Sequence, residues 1–282
     1  QDFISGSNTL FKGQVIQLNV QPMDAVKYRA QSLLSDARLG LQALSSQLGG
    51  YVTSAAWQQR TQEGIAAWEK LCEDILPATD DQTIPSDAQV VAAVNTSVDK
   101  NAVVVAAAGS LPSELHKHWR AEQVGGYHLE YGYSCMGYEI CGGVGAKLAC
   151  PDREVVVMVG DGSYMMMNSD VATAVSMGLQ LTIVVLDNRG FSCINRLQMA
   201  TGGANFNNLL QDTYNKGLAQ IDFAGHARAM GAHAVHVDNI GGLKQAVLAA
   251  RQRAGVSVVV IDTDPLHCSP GGAYWEVEVP EV

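Results

Sequence analysis

The chain lacks any long apolar run. Nowhere in its 282 residues does hydrophobicity continue for the roughly 18 positions of a membrane-spanning helix. It opens Gln1-Asp2-Phe3, without the basic and apolar segments of a signal peptide, so no targeting segment is expected. It also lacks an initiating Met, which leads us to expect that residue 1 is not a natural start or that the chain is processed. No Cys-x-x-Cys pair occurs among Cys72, Cys135, Cys141, Cys150, Cys193 and Cys268, so zinc-ligand spacing is missing. Buried free thiols in a reducing compartment, the cytoplasm, are the expectation. Basic charge is scarce. Lys plus Arg number 18 against 28 Asp plus Glu, a formal net charge of -10, which argues against a general nucleic-acid or anionic-membrane binder. A local phosphate site is still compatible, because backbone N–H groups and a metal hold phosphate without a basic surface. Neither a solenoid-length repeat nor a collagen-like period is present.

What is there is core material. The chain is 47% hydrophobic and 16% charged, enough for one large domain or two small ones. Glycine is plentiful at 28 residues, which points to tight turns or close backbone-to-ligand contacts. A short apolar strand at 15–20 is followed by a helix capped at Ser35-Asp36, with Leu41, Leu44 and Leu48 on one face. A second helix is expected over 55–75, then a Pro-bounded linker over 77–85. Ser86 and Gln89 fit a capping box ahead of Val90, Val91, Val94 and Val98. Apolar strands at 102–107, 155–159, 181–186 and 256–261, with a further strand at 233–237, alternate with helices near 168–177, 222–230 and 242–253. Apolar runs without alternation, separated by helices, imply an α/β fold with a parallel sheet covered on both faces.

Three of these strands end in polar, Gly-rich turns: Gly109-Ser110, Gly160-Asp161-Gly162-Ser163 and Asp187-Asn188-Arg189-Gly190. Right-handed crossovers place all three turns on one edge of the sheet, where open parallel sheets bind ligands. Asn188 follows Asp161 by 27 residues, room for one turn, one helix and one strand. Either turn alone is ordinary loop chemistry. Together, on adjacent strand ends, they offer a carboxylate and an amide oxygen, hard ligands that suit Mg²⁺ or Ca²⁺. Mg²⁺ keeps positions open for phosphate oxygens, so a diphosphate is the natural third party. Gly160 and Gly162 let the backbone approach it, and Ser163 offers a hydroxyl. Gly142-Gly143-Val144-Gly145-Ala146-Lys147 half-resembles a nucleotide loop, but lacks a Ser or Thr after Lys147 and a glycine in dinucleotide register. We read its glycines as close helix packing, and the protein as independent of NAD.

Gly160-Asp161-Gly162-Ser163 followed by Asn188 resembles the metal-binding signature of thiamine-diphosphate enzymes. The resemblance implies that Asp161 and Asn188 ligate Mg²⁺ through side chains and Gly190 through its carbonyl. Asp187-Asn188 stands where the family often has Asn-Asn. The segment Tyr127–Ile140, containing Ser134-Cys135-Met136-Gly137-Tyr138-Glu139, resembles the trihydroxycyclohexane-dione hydrolases of myo-inositol catabolism, as do Phe191–Asn195 and Trp275-Glu276. By that likeness Met136 sits beneath the bent cofactor, the Ser134 carbonyl meets its amino group, and Ser110 and Leu111 touch its diphosphate. His128 and Glu130 are candidate pocket residues near these loops.

The resemblance further implies a three-layer α/β/α diphosphate-binding domain over 81–282. The end of a Rossmann-like middle domain and a linker helix would occupy 1–80. The glutamate that activates the cofactor belongs in this family to a separate pyrimidine-binding domain, on a neighbouring subunit, so a homodimer or tetramer is expected. The implied activity is hydrolytic opening of a polyhydroxy cyclic dione. An acetolactate-synthase-like carboligase and a non-catalytic cofactor-binding module are the alternatives.

Overall fold

The structure, a computed structural model, describes residues 13–77, 84–130, 132–200, 202–217 and 220–270. Most of the expected linker at 77–85, and Trp275-Glu276, lie outside the described residues. The chain divides into two compact units, Gln1–Glu69 and Lys70–Val282.

In the first unit, strands β1 (Ile16–Asn19) and β2 (Gln31–Leu34) pair in parallel, with Leu18 opposite Leu33. A short helix α1 (Pro22–Ala25) lies between them. Helix α2 (Ala37–Gln47) starts at Asp36, whose Oδ1 accepts the Leu39 N–H at 3.1 Å. A side chain at Gly40 would strike Leu18, so glycine permits α2 to lie close over β1. Leu41, Leu44 and Leu48, expected on one face of this helix, are exposed. Helix α3 (Ala55–Ile75) follows, as its periodicity predicts, and carries the chain from the first unit into the second.

The second unit is built on six parallel strands in the order β4-β3-β5-β6-β8-β7. These are β3 (Val103–Ala106), β4 (Tyr127–Leu129), β5 (Val155–Gly160), β6 (Leu181–Asp187), β7 (His233–Val237) and β8 (Val256–Asp262). The helices are α4 (Asp87–Asn95), α5 (Ser110–His118), α6 (Tyr138–Ala149), α7 (Asp161–Met166), α8 (Asp170–Ser176), α9 (Ser192–Ala200), α10 (Phe223–Ala229) and α11 (Ile240–Arg251).

Side chains alternate across a strand, and here both faces are covered. Val155, Val157 and Val159 pack with Ile140 of α6, Val171 of α8 and Phe223 of α10. Val156 and Met158 pack with Val91 of α4, Leu115 of α5 and Leu243 of α11. That three-layer arrangement explains why β5 reads as an unbroken apolar run. A side chain at Gly143 of α6 would overlap Val157, so the glycine sets the distance between α6 and β5. The capping box of α4 is present: Ser86 accepts the Gln89 N–H, and Gln89 accepts the Ser86 N–H at 2.9 Å.

The strand order has a consequence for function. β3 has β4 on one side and β5 on the other, so the chain reverses its direction of winding between β3 and β5. A crevice opens beyond the carboxyl ends of strands at such a point.

Candidate cofactor and metal site

A cavity of about 520 Å³ occupies that crevice. Its lining includes Ser110, Leu111, Ser134, Met136, Gly160, Asp161, Gly162, Ser163, Asn188 and Gly190. Residues from four separate turns thus meet in one place, within the size range of small-ligand sites. His128 and Glu130 do not line it. His128 is exposed and its Nε2 lies 2.6 Å from the Tyr138 hydroxyl. The Glu130 carboxylate accepts the N–H groups of Tyr133 (3.1 Å) and Cys135 (2.7 Å), which hold it below the usual carboxylate range. Glu130 therefore shapes the loop that presents Ser134 and Met136.

β5 and β6 are neighbours, with Gly160 opposite Leu186, so Asp161 and Asn188 emerge side by side. The Asp161 carboxylate accepts two main-chain donors, Gly162 at 2.8 Å and Gly190 at 3.0 Å. Burial, reinforced by the Asp187 carboxylate, pushes Asp161 up to about 7. Asp187 also meets Arg189, whose Nε lies 3.0 Å away and whose N–H donates at 3.1 Å. That contact is the physical sense of Asp at this position. Asn188 donates its amide N–H to Ser192 at 3.0 Å, while its Oδ1 is buried with no partner among the described residues.

These features fit a divalent cation. An unpartnered buried oxygen is costly, and a buried carboxylate destabilised by its surroundings gains from a positive charge. Main-chain geometry contributes as well. Arg189 and Gly190 both have positive φ, +60° and +151°. A side chain at Gly190 would strike the Asn208 carbonyl, so the turn demands glycine.

The cavity also fits a diphosphate-bearing ligand. No atom lies within 4 Å of where a side chain would begin at Gly109 or Gly160. Gly109 adopts φ +101° and precedes α5 without any side-chain cap, leaving the first N–H groups of that nine-residue helix for an anion. The Ser110 hydroxyl is committed to Asp87 and the Ser163 hydroxyl to Glu139, so the expected hydroxyl from Ser163 is already engaged. At Gly162 a side chain would crowd the Phe191 ring and lie 3.5 Å from Met136 Cε. Met136 therefore reaches into the cavity above a glycine, not into the closed core.

Sequence pattern does not reveal several lining residues, among them Asp87, Glu114, Lys117, Arg196, Cys268 and Ser269. They arrive from α4, α5, α9 and the segment after β8. Glu114 is 1% exposed. Burial pushes its carboxyl up, but hydrogen bonds from His118 and Ser269 and the Lys117 charge outweigh it, leaving it below the usual range. Lys117 Nζ lies 3.1 Å from Glu114 and donates to the Ser269 carbonyl at 2.8 Å. This cluster ties the segment after β8 to α5. Among the described residues, no helix is long and apolar enough to cross a membrane.

Residues 107–261 match the family described as "Thiamine pyrophosphate enzyme, C-terminal TPP binding domain". The chain belongs to this thiamine pyrophosphate enzyme family. The match runs from the end of β3 to the end of β8 and so takes in the cavity's strand-end turns. Curated relatives share its full length. The 3D-(3,5/4)-trihydroxycyclohexane-1,2-dione hydrolase of Geobacillus thermodenitrificans is 35% identical over 100% of this chain and 48% of its own. The proteins of the same name from Bacillus anthracis and Halalkalibacterium halodurans are 32% and 33% identical, again over the whole chain. The chain thus spans about half the length of the curated relatives it matches. The thiamine diphosphate-dependent 4-hydroxybenzoylformate decarboxylase of Rhodococcus jostii RHA1 superposes with a TM-score of 0.69 at 18% identity, covering 89% of this chain and 44% of that one. At that identity the superposition concerns the fold alone.

Proposed function

We propose that the chain is the diphosphate-binding part of a thiamine-diphosphate- and Mg²⁺-dependent hydrolase. Its reaction would be cleavage of a C–C bond of trihydroxycyclohexane-1,2-dione, giving 5-deoxy-glucuronate, in myo-inositol catabolism. The observation that carries the cofactor reading is the pairing of Asp161 with the unpartnered Asn188 oxygen on adjacent strand ends. The substrate reading is supported by relatives of that name, alike over the whole chain, and by the Ser134–Glu139 segment.

In this reading Asp161, Asn188 and the Gly190 carbonyl hold Mg²⁺. The first N–H groups of α5, at Ser110 and Leu111, receive the diphosphate. Gly160, Gly162 and Ser163 line its path. Met136 and the Ser134 carbonyl, both at the cavity, would hold the cofactor's rings. Ser134 has φ +55°, an uncommon conformation for a residue with a side chain, and it stands at the cavity. When bound, thiamine diphosphate supplies an electron sink for the carbon–carbon cleavage. This chain's part would be to bind and orient the cofactor. The proton-transferring glutamate belongs to the pyrimidine-binding domain of a neighbouring subunit, so the working assembly is a homodimer or tetramer. Residues 1–80 are the end of a middle domain with its linker helix, and 81–282 the diphosphate-binding domain. A cytoplasmic setting completes the proposal; the six cysteines are free, but only Cys72 is buried and Cys135, Cys141 and Cys268 are exposed, unlike the buried thiols expected.

The test is turnover by the full-length protein with the cyclic dione, Mg²⁺ and thiamine diphosphate. Ring opening that EDTA abolishes supports the proposal. Consumption of pyruvate with the dione untouched would favour a carboligase. Cofactor binding without turnover of either would favour a non-catalytic module.

A further inference from the structure

We propose that Asp87, Ser110 and Ser192 form a directed hydrogen-bond chain that selects the orientation of the Asn188 amide and thereby makes Asn188 competent to bind a cation. The inference rests on the metal reading of Asp161 and Asn188 given above. The four residues come from four places in the fold: the first residues of α4, α5 and α9, and the turn after β6. All four are buried. Ser110 Oγ donates to Asp87 Oδ2 at 2.9 Å, Ser110 Oγ and Ser192 Oγ are 3.2 Å apart, and Asn188 Nδ2 donates to Ser192 Oγ at 3.0 Å.

The direction of the chain follows from counting protons. A hydroxyl has one to give. Burial pushes the Asp87 carboxyl up, against the Thr263 and Ser110 hydrogen bonds and the Arg196 charge; with Asp87 ionised, the Ser110 proton goes to its carboxylate, so the bond between the serines requires Ser192 to donate to Ser110. Ser192 is then left with only lone pairs for Asn188 and accepts from the amide nitrogen. The carboxylate at the far end thus dictates which end of the amide faces Ser192. This matters because the two ends of a primary amide have nearly the same shape, and packing alone does not distinguish them. Reversed, the amide would aim its N–H₂ hydrogens where a cation is to sit. Held as it is, Oδ1 has no partner among the described residues and is available as a ligand. Ser110 and Ser192 are therefore positioning residues, and Asp87 is the acceptor that gives the chain its direction.

The readout is Mn²⁺ affinity of the full-length protein in the presence of thiamine diphosphate, from electron paramagnetic resonance of the free ion. Asn188→Ala should lose binding. Ser192→Ala should weaken it by about tenfold, the lower end of what is lost when a partner of a metal ligand is removed, and Ser192→Thr, which keeps the hydroxyl, should restore it to within about twofold. An Asn188→Asp background supplies the sharper test. A carboxylate presents the same oxygen at both ends and needs no orienting, so adding Ser192→Ala there should change affinity by less than about twofold. Equal losses in both backgrounds would overturn the inference, since Ser192 would then be acting through general structure. So would unchanged affinity in Ser192→Ala while Asn188→Ala fails to bind. If Asn188→Ala itself binds normally, it is the metal reading that falls. Should Ser192→Ala not fold, as judged by circular dichroism, Asp87→Leu keeps a side chain of similar shape while removing every acceptor atom from it. It should also weaken Mn²⁺ about tenfold, and wild-type affinity in it would overturn the inference.

Discussion

Asp161 is held ready for a cation by the same surroundings that disfavour its own charge. Its folded carboxyl is pushed up to about 7, above an ordinary value of 3.8. The folded, metal-free protein therefore binds this proton more tightly than the unfolded chain does. The part of its stability that Asp161 contributes falls as pH rises from about 4 to about 7, and the penalty is fully present above that. We predict that Asp161→Asn raises the melting temperature of the metal-free protein at pH 8 by several degrees, with little change at pH 4. It should also abolish the stabilisation by Mg²⁺. Melting curves at the two pH values check both outcomes. Glu114 behaves oppositely. Its carboxyl lies below the usual range, so its contribution is present above an ordinary carboxyl value and is lost as pH falls through the lower, folded one. Gly190 is a third residue with a defined consequence. Gly190→Ala would place a methyl group against the Asn208 carbonyl at a φ of +151°. A loss of about 1–3 kcal/mol in urea unfolding, together with weakened Mg²⁺ binding, is expected.

Elements set where these residues stand, and they were unequally legible. The strands β3, β5, β6 and β8 are continuous apolar runs, and their end turns are local in the chain, so Asp161 and Asn188 can be read as neighbours from spacing. Three-residue β4 carries no period and escapes a pattern reading. Helix α7 is also hidden, because Tyr164-Met165-Met166 follows directly on a Gly-rich turn. It is held by Tyr164, whose hydroxyl lies 3.1 Å from His226 Nδ1 and whose ring meets Phe223 edge-on. The link from Asp87 to Ser110 and Ser192 spans helices distant in sequence, so nothing in local pattern marks it. His128 and Glu130 share a strand-end location with true lining residues, but the loop they shape carries Ser134 and Met136 to the cavity instead. Two substitutions test the element scale. Gly143→Val should force α6 off Val157 and cost about 1–3 kcal/mol in denaturant unfolding. Ser86→Ala removes the cap of α4 and should cost about 1 kcal/mol.

At the scale of the molecule, the parallel sheet does one thing for function: it delivers three turns to one edge, at the point where the strand order reverses. Two hydrophobic layers hold the strands from both sides, so the turns are free to be polar, Gly-rich and partly strained. The chain corresponds to about half of its curated relatives. A divided labour follows in the proposed function, with anchoring here and proton transfer elsewhere. A ligand that binds only the native state raises stability by RT ln(1 + [L]/Kd), so anchoring can be measured apart from turnover.

The most direct measurement is thermal unfolding of the full-length protein with Mg²⁺ alone, thiamine diphosphate alone and both together, in wild type and Asp161→Ala. The account predicts a rise in melting temperature that requires both ligands in wild type, is reversed by EDTA, and is absent in Asp161→Ala. An equal rise in the variant, or one that EDTA leaves intact, would contradict the assignment of this cavity as the metal and diphosphate site.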